Sequence, residues 1–406
     1  VYFQLGWRNI WRNPRRTAVI MIAVIIGVWS MIFLGALMRG MIEDMIENGI
    51  ATLTGHIQVH HKGYRDDPVI ENSIADLNTI ESALESLLPP GTQWTPRVRV
   101  NGIASNARHS DGVTLVGIDP ELEAKVSFIG HAVTQGRYLT LDEENGILVG
   151  KALIDKFETK LGRKLVLMSQ DTSGEIASRS FRIVGVFRAE MEATEKQFAF
   201  VTMHAAQRML RLQGDISEVS IRLKDQGETD RVTNALKETL PSAYEVHSWR
   251  DLLPLLSAYM RLFDGFMWLW YLVVFIAMGF GIVNTMLMAV FERIREFGLL
   301  KALGMRPWWI IKEVLAESFF LLVIGMAIGN TLGLLSVLAL SGSGIDLSAL
   351  AAGTEYVGMA RVIYPAVSGK DVAMANLMVF ILGLLVSVYP AAKAARFTPV
   401  EALAHT

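Results

Sequence analysis

Residues able to do covalent or metal chemistry are sparse in this chain, and their spacing argues against both. His56, His60 and His61 fall together in the run GHIQVHH. On a strand, side chains alternate between faces, so His56 and His60 share one face and His61 points away. Two imidazoles with no nearby cysteine, and with only Asp66 and Asp67 as distant carboxylates, make a poor zinc site. A solvated strand without metal is expected. The cysteine count is zero, which excludes disulfides, thiolate metal sites and a cysteine nucleophile. No G-x-S-x-G marks an activated serine. No G-x-x-x-x-G-K-[ST] is present either; the closest run, Gly130 to Gly136, lacks the Lys and the Ser/Thr. No enzymatic activity and no cofactor are therefore expected of this chain.

The constellation that does suggest a task is electrostatic. Glu292, Arg295, Glu296 and Leu299 recur at three- and four-residue spacing, which places them on one helical face. Arg293 and Lys301 lie in the same run, and Leu299, Leu300 and Leu303 add an apolar edge. Gly304 can end that helix as the residue after its C-cap, and Pro307 can open the next one. A short helix with one charged and one apolar edge suits an element that couples two bodies. It equally suits a connector that snorkels its Arg and Lys at a membrane surface. Trp308 and Trp309 read as interface anchors.

These residues must be positioned by something greasy. The chain of 406 residues is 51% hydrophobic and only 19% charged, against about 25% charged in soluble globular proteins. Its net charge of −2 carries no basic excess of the kind that marks a nucleic-acid binder. Four stretches, 17–38, 265–291, 318–345 and 372–392, contain no Asp, Glu, Lys or Arg. About 20 apolar residues suffice to cross a bilayer, so four transmembrane helices are expected. The first run is too long for a signal-peptide core and ends on no A-x-A-type site, so it reads as a retained helix.

Lys and Arg near the helix ends set the orientation. Arg8, Arg12, Arg15 and Arg16 precede helix one; Arg293, Arg295, Lys301, Arg306 and Lys312 follow helix two; Lys393 and Arg396 follow helix four. This puts residues 1–16, 292–313 and 393–406 in the cytoplasm, and 39–264 with the short loop 346–371 outside. No acidic or basic residue lies within a span and the four helices show no inverted repeat, which argues against a proton- or ion-driven transporter. Gly325, Gly329 and Gly333 repeat every four residues on helix three and permit close helix approach. Helix two carries Gly279, Gly281 and Asn284; helix one carries Gly27, Ser30 and Gly35.

The segment 39–264 reads as mixed α/β. Strands are expected at GHIQVHH, 111–119, 181–187 and SEVSIRL, and helices at 79–88 and DRVTNALKETL. The stretch 146–168 reads as strand, helix, a turn at Gly162, then strand; 169–178 reads as a hairpin with Gly174 in the turn. QFAFVTMHAAQRML reads as a strand running into a helix. At the N-terminus, Trp7 to Arg16 reads as a surface helix with Trp7, Ile10 and Trp11 on one side, a membrane anchor.

Three distant segments, GWRNIWRNPRRTAVIMIAVIIGV (6–28), ERIREFGLLKALGMRPWWII (292–311) and YPAAKAARFTPVEAL (389–403), resemble the FtsX/MacB-like permeases of ABC transporters, the group that includes LolC and LolE. The run GHIQVHHKGY leans towards the lipoprotein-releasing branch. The resemblance implies an α-helical inner-membrane protein with four transmembrane helices and a large α/β periplasmic domain between helices one and two. It implies a dimer with a second permease copy or paralogue, driven by two cytoplasmic ATPase subunits that hold ATP and Mg. Glu292, Arg293, Arg295, Glu296, Leu299, Lys301 and Gly304 become the expected ATPase-coupling residues. Gly27, Gly35, Gly279 and Asn284 become candidates for a dimer seam, since helices one and two face the partner in that family. Lipidated cargo, a periplasmic adaptor, or a switched periplasmic enzyme are the tasks it implies.

Overall fold

The computed structural model describes residues 2–346 and 362–398, which fall into two compact units. Of the expected loop 346–371 and tail 393–406, residues 347–361 and 399–406 lie outside the described residues.

One unit comprises Asp44–Ala258 together with residues outside those described. Its ten strands are β1 (Ile57–His61), β2 (Gln93–Ser105), β3 (Ser110–Ile118), β4 (Val133–Gly136), β5 (Gly146–Gly150), β6 (Lys164–Gln170), β7 (Ile176–Phe187), β8 (Phe198–Thr202), β9 (Glu218–Arg222) and β10 (Tyr244–Ser248). They form one mixed sheet in the order β10-β1-β9-β2-β3-β8-β5-β7-β4, with β6 paired to β2 and β7. Two helices pack on this sheet with strong amphipathic periodicity: α3 (Leu77–Leu87) buries Ile80 and Leu84, and α9 (Thr229–Thr239) buries Val232 and Leu236. Shorter helices α4 (Pro120–Val126), α5 (Ile129–Ala132), α6 (Lys151–Lys156), α7 (Glu192–Gln197), α8 (Met203–Leu210) and α10 (Trp249–Leu252) fill the connections. The strands and helices anticipated from periodicity are present. The turn glycines Gly162 and Gly174 have φ of +81° and +77°, which a β-carbon would oppose. The strands β2, β4 and β10 are not among those expected from the sequence, although 97–101 and Tyr244–Ser248 alternate.

The solvated strand expected at GHIQVHH is corrected. β1 is paired on both sides, to β9 and β10, and His56 and His60 are 5% and 4% exposed. A strand interior to a sheet packed by helices is covered on its edges and at least one face; sequence alternation alone could not show which strand takes that place.

Among the described residues, the other unit contains four helices long and apolar enough to cross a membrane: α2 (Pro14–Gly49, extended by a π-turn at Ile50–Thr54), α11 (Pro254–Glu292), α13 (Pro307–Ser341) and α14 (Gly369–Arg396). The unit proper takes residues to Glu43 and from Tyr259 onward. Each helix outruns its charge-free run, because a helix ends at a breaker or cap rather than where the apolar residues stop. Two short helices join them: α1 (Tyr2–Arg12) and α12 (Ile294–Ala302). The surface helix expected over Trp7 to Arg16 is instead broken at Asn13, since the residue before Pro14 disfavours helical backbone. Its faces also differ from expectation. Ile10 is buried at 1%, while Trp7 and Trp11 are 43% and 64% exposed. A β-carbon on Gly6 would stand 3.1 Å from the Glu317 backbone, so α1 lies directly on α13.

Candidate functional site

The break between α11 and α12 falls at Arg293, whose φ of −108° and ψ of 15° are outside the helical region. Glu292 therefore closes α11 and does not share the face of α12, unlike the expectation from spacing. Ile294, Phe297 and Gly298 form the buried side of α12. Lys301 caps the C-terminal end of α14: its Nζ donates to the carbonyls of Ala395 at 2.8 Å and Phe397 at 2.6 Å. Gly304 follows the C-cap with φ +95°, the left-handed conformation that lets the chain turn sharply into Pro307.

The charges of this region are tied inward. Arg293 donates to Glu313 at 2.7 Å, to Glu296 at 3.2 Å and to Glu317 at 3.4 Å. Arg16, on the first turn of α2, donates to Glu317 at 2.7 Å and stands 3.6 Å from Glu292. Asn9 and Arg12 of α1 donate to Glu313 (3.0 Å) and Glu296 respectively. The side chains of Arg16, Arg293, Glu313 and Glu317 are at most 10% exposed. Ionised groups at such depth persist only when each has a partner, since removing one partner leaves an uncompensated buried charge. The network thus fixes α12 against α1, α2 and α13. The hydrogen bond from Arg12 holds the Glu296 carboxyl below its ordinary range, against some desolvation, with Arg293 assisting.

What α12 leaves outward is both charged and apolar, and the Glu296 side chain is 45% exposed. Leu299 is 55% and Leu303 77% exposed, and Arg295 is also exposed. An open cleft of about 650 Å³ runs beside them, lined among others by Leu5, Leu300, Leu303, Met305, Trp309 and Glu313.

The glycine residues serve packing within the unit. A β-carbon on Gly325, Gly329 or Gly333 would meet Val24 at 2.7 Å, Val28 at 2.8 Å and Ile32 at 3.0 Å, so α13 lies directly on α2. Gly27 and Gly35 face Met278 and Tyr271 of α11, and Gly279 faces Val386 of α14. Asn284 is exposed on α11.

Two polar constellations escaped the reading from sequence. One is the Arg16–Arg293–Glu313–Glu317 network; its signal was two acids four residues apart at the mouth of an apolar run. The other joins α13 to α14: Asn330 and Asn376 exchange amide hydrogen bonds of 2.7 and 2.9 Å, and each also donates to the carbonyl four residues back. Arg39 of α2 pairs with Asp371 of α14 at 2.5 Å.

The model of the MacB-like periplasmic core domain matches residues 17–239, and that of the FtsX-like permease C-terminal region matches 268–399. The lipoprotein-releasing system transmembrane protein LolC of Xylella fastidiosa (strain 9a5c) is 25% identical over 321 residues, covering 76% of each chain. The macrolide export ATP-binding/permease protein MacB of Escherichia coli O157:H7 is 26% identical over 431 residues, covering 98% of this chain and 60% of that protein. The crystal structure of the periplasmic region of MacB from Actinobacillus actinomycetemcomitans matches 52% of this chain and 94% of that one at 15% identity, with a TM-score of 0.36. The chain belongs to the FtsX/MacB-like family of ABC transporter permeases.

Proposed function

We propose that this chain is the inner-membrane subunit that converts ATP hydrolysis by a cytoplasmic ATPase dimer into movement of its α/β unit on the periplasmic side, releasing or extruding amphipathic or lipidated cargo. The observation that carries the reading is the pinning of α12. A helix fixed by a buried four-charge network to the first turn of α2 and to α13 cannot be displaced without moving both helices. Its exposed edge of Leu299 and Leu303, beside the cleft floored by Met305 and Trp309, supplies apolar surface for an ATPase to grip. The permease works as a dimer in which ATP and Mg belong to the ATPase, and both termini face the cytoplasm.

Lipoprotein-like cargo is favoured by the LolC similarity over three quarters of each chain; efflux of the kind named for MacB is the second reading, on its 98% coverage of this chain. The absence of native cysteine allows a direct test. In intact cells, an impermeant maleimide should label Ile176→Cys, at a side chain 81% exposed, and should label Leu303→Cys only after the membrane is opened. Labelling of both positions in sealed cells would refute the arrangement. Stimulation of the ATPase complex by a triacylated lipopeptide and not by erythromycin would select the lipoprotein reading; the reverse would select efflux.

A further inference from the structure

Strands β1 and β10 are neighbours in the sheet, with Ile57 opposite Ser248, and each runs on into a long helix. The chain reaches β1 from the end of α2 through the π-turn, and it leaves β10 through α10 into α11. Two connections far apart in sequence therefore meet at one place within the α/β unit. The first of them is over-determined. Thr52 and Leu53 leave the helical region, and Leu53 takes a φ of 71° while only 1% exposed. Left-handed backbone at a leucine persists only where the surroundings hold it. Here the Leu53 carbonyl accepts from Gln58 Nε2 at 3.0 Å and from the Arg97 guanidinium, and both of those side chains are buried. The Gly55 amide closes on the Ile50 carbonyl at 2.8 Å, and the Phe128 amide donates to the Ala51 carbonyl at 3.0 Å. The Leu53 side chain packs with Val116, Ile118 and Phe200. Gly55 has a φ of 65°, and a β-carbon there would stand 2.5 Å from Ser220 Oγ and 2.9 Å from the Ile221 carbonyl oxygen.

His56 ties this turn to the second connection. Its amide donates to the Ile221 carbonyl at 2.8 Å, and its carbonyl accepts from the Trp249 amide at 2.9 Å. Its Nδ1 accepts from the Leu223 amide at 3.2 Å. Trp249 is wholly buried at the start of α10, where Ser248 and Asp251 form a capping box. Leu253, the residue after α10, packs back on the end of α2: a β-carbon on Gly49 would stand 2.8 Å from its Cδ1. Glu47, in the last turn of α2, pairs with Arg222 of β9. The ends of both long helices are thus held by the same strands and by each other.

We infer that the end of α2 and the start of α11 are fused to the sheet as one fixed joint rather than hinged to it, and that Gln58, His56 and Arg97 are the positioning residues that hold it. Movement of either helix end is then passed to the sheet and to the other helix end, where a slack turn would absorb it. The rigidity stands on the geometry of the α/β unit alone; its consequence for transport rests on the coupling reading.

The test follows amide hydrogen exchange in the full chain in detergent micelles. The Gly55 and Phe128 amides should exchange within about tenfold of the slowest amides of β1 and β9, because they open only with the sheet. Faster exchange than that marks a hinge and overturns the proposal. Gln58→Leu keeps the volume and removes one of the two donors to Leu53, so exchange at Gly55 and Phe128 should rise about tenfold while β5 and β8 stay unchanged. Inserting two glycines between Gly49 and Ile50 should loosen the joint further, with β5 and β8 again reporting that the unit stays folded. In the ATPase complex both variants should keep basal hydrolysis. Stimulation by a triacylated lipopeptide or by erythromycin, whichever acts on the unaltered protein, should be reduced by Gln58→Leu and abolished by the insertion. Full stimulation in an insertion variant whose exchange shows a loosened joint overturns the positioning role. If neither compound stimulates the unaltered protein, the coupling reading has failed, and the exchange rates alone decide whether the joint is fixed.

Discussion

Arg97→Met is the sharpest test of how the α/β unit is held together. Arg97 is wholly buried, and its guanidinium serves four acceptors: both oxygens of Glu123, one of Glu218, and the carbonyl of Leu53. Leu53 lies in the π-turn after α2 with φ of 71°, a left-handed conformation that costs an L-residue about 1 kcal/mol. Methionine fills much of the volume but leaves Glu123, at 0% exposure, as an unpaired buried anion. Removing one member of a buried pair costs about 3–5 kcal/mol. The measurement is amide hydrogen exchange of β2 and β9 in the detergent-solubilised full chain, where the slowest amides report opening of the whole unit. At about 1.4 kcal/mol per factor of ten, these should exchange roughly 10²- to 10³·⁵-fold faster. Adding Glu123→Leu removes the stranded charge, so the double variant should recover at least half of that loss, with Glu218 still served by Arg99 and His60. If Arg97→Met changes exchange by less than tenfold, or if the double variant is additive, the cluster is not an interdependent buried ion network and the reasoning fails.

Four further outcomes follow from the same structure. Leu303→Asp, at a side chain 77% exposed, should weaken capture of the ATPase while leaving thermal stability within about 0.5 kcal/mol, because surface changes away from special features are near neutral. Arg293→Met should instead lower stability by about 3 kcal/mol, read as a drop in detergent melting temperature, since it strands Glu313. Gly329→Leu should splay α2 from α13, because its β-carbon alone would stand 2.8 Å from Val28 and 3.0 Å from the Ile25 carbonyl; a loss of about 1–3 kcal/mol or more is expected, and an unchanged melting temperature would refute the packing. His56 is pushed down to about 4 by burial, with Arg222 assisting, whereas a free imidazole titrates near 6.5. The folded state therefore resists protonation that the unfolded chain accepts, so stability is intact above about pH 6.5 and falls progressively towards pH 4. His56→Asn, which retains an acceptor for the Leu223 amide, should flatten that slope.

The sequence by itself determined what depends on neighbours a few residues apart. Charge-free runs of membrane length announced four helices, because lipid tolerates no unpaired charge and no unsatisfied backbone. Local periodicity placed most strands and helices of the α/β unit, and the four-residue glycine repeat announced a close helix contact. Tertiary structure alone decided which helix that stripe meets, and it is α2 of the same chain. It alone showed that Glu296 and Arg293 are tied to partners on α1 and α13. Arg16 meets Glu317 across 301 positions, and Arg97 meets Glu218 across 121. Such pairs leave no periodic trace, because their energy comes from burial and from the near absence of water around them, and both exist only after distant segments have packed. The same holds for His60: its residue type was visible from the start, but only the pairing of β1 on both sides buried it beside a carboxylate.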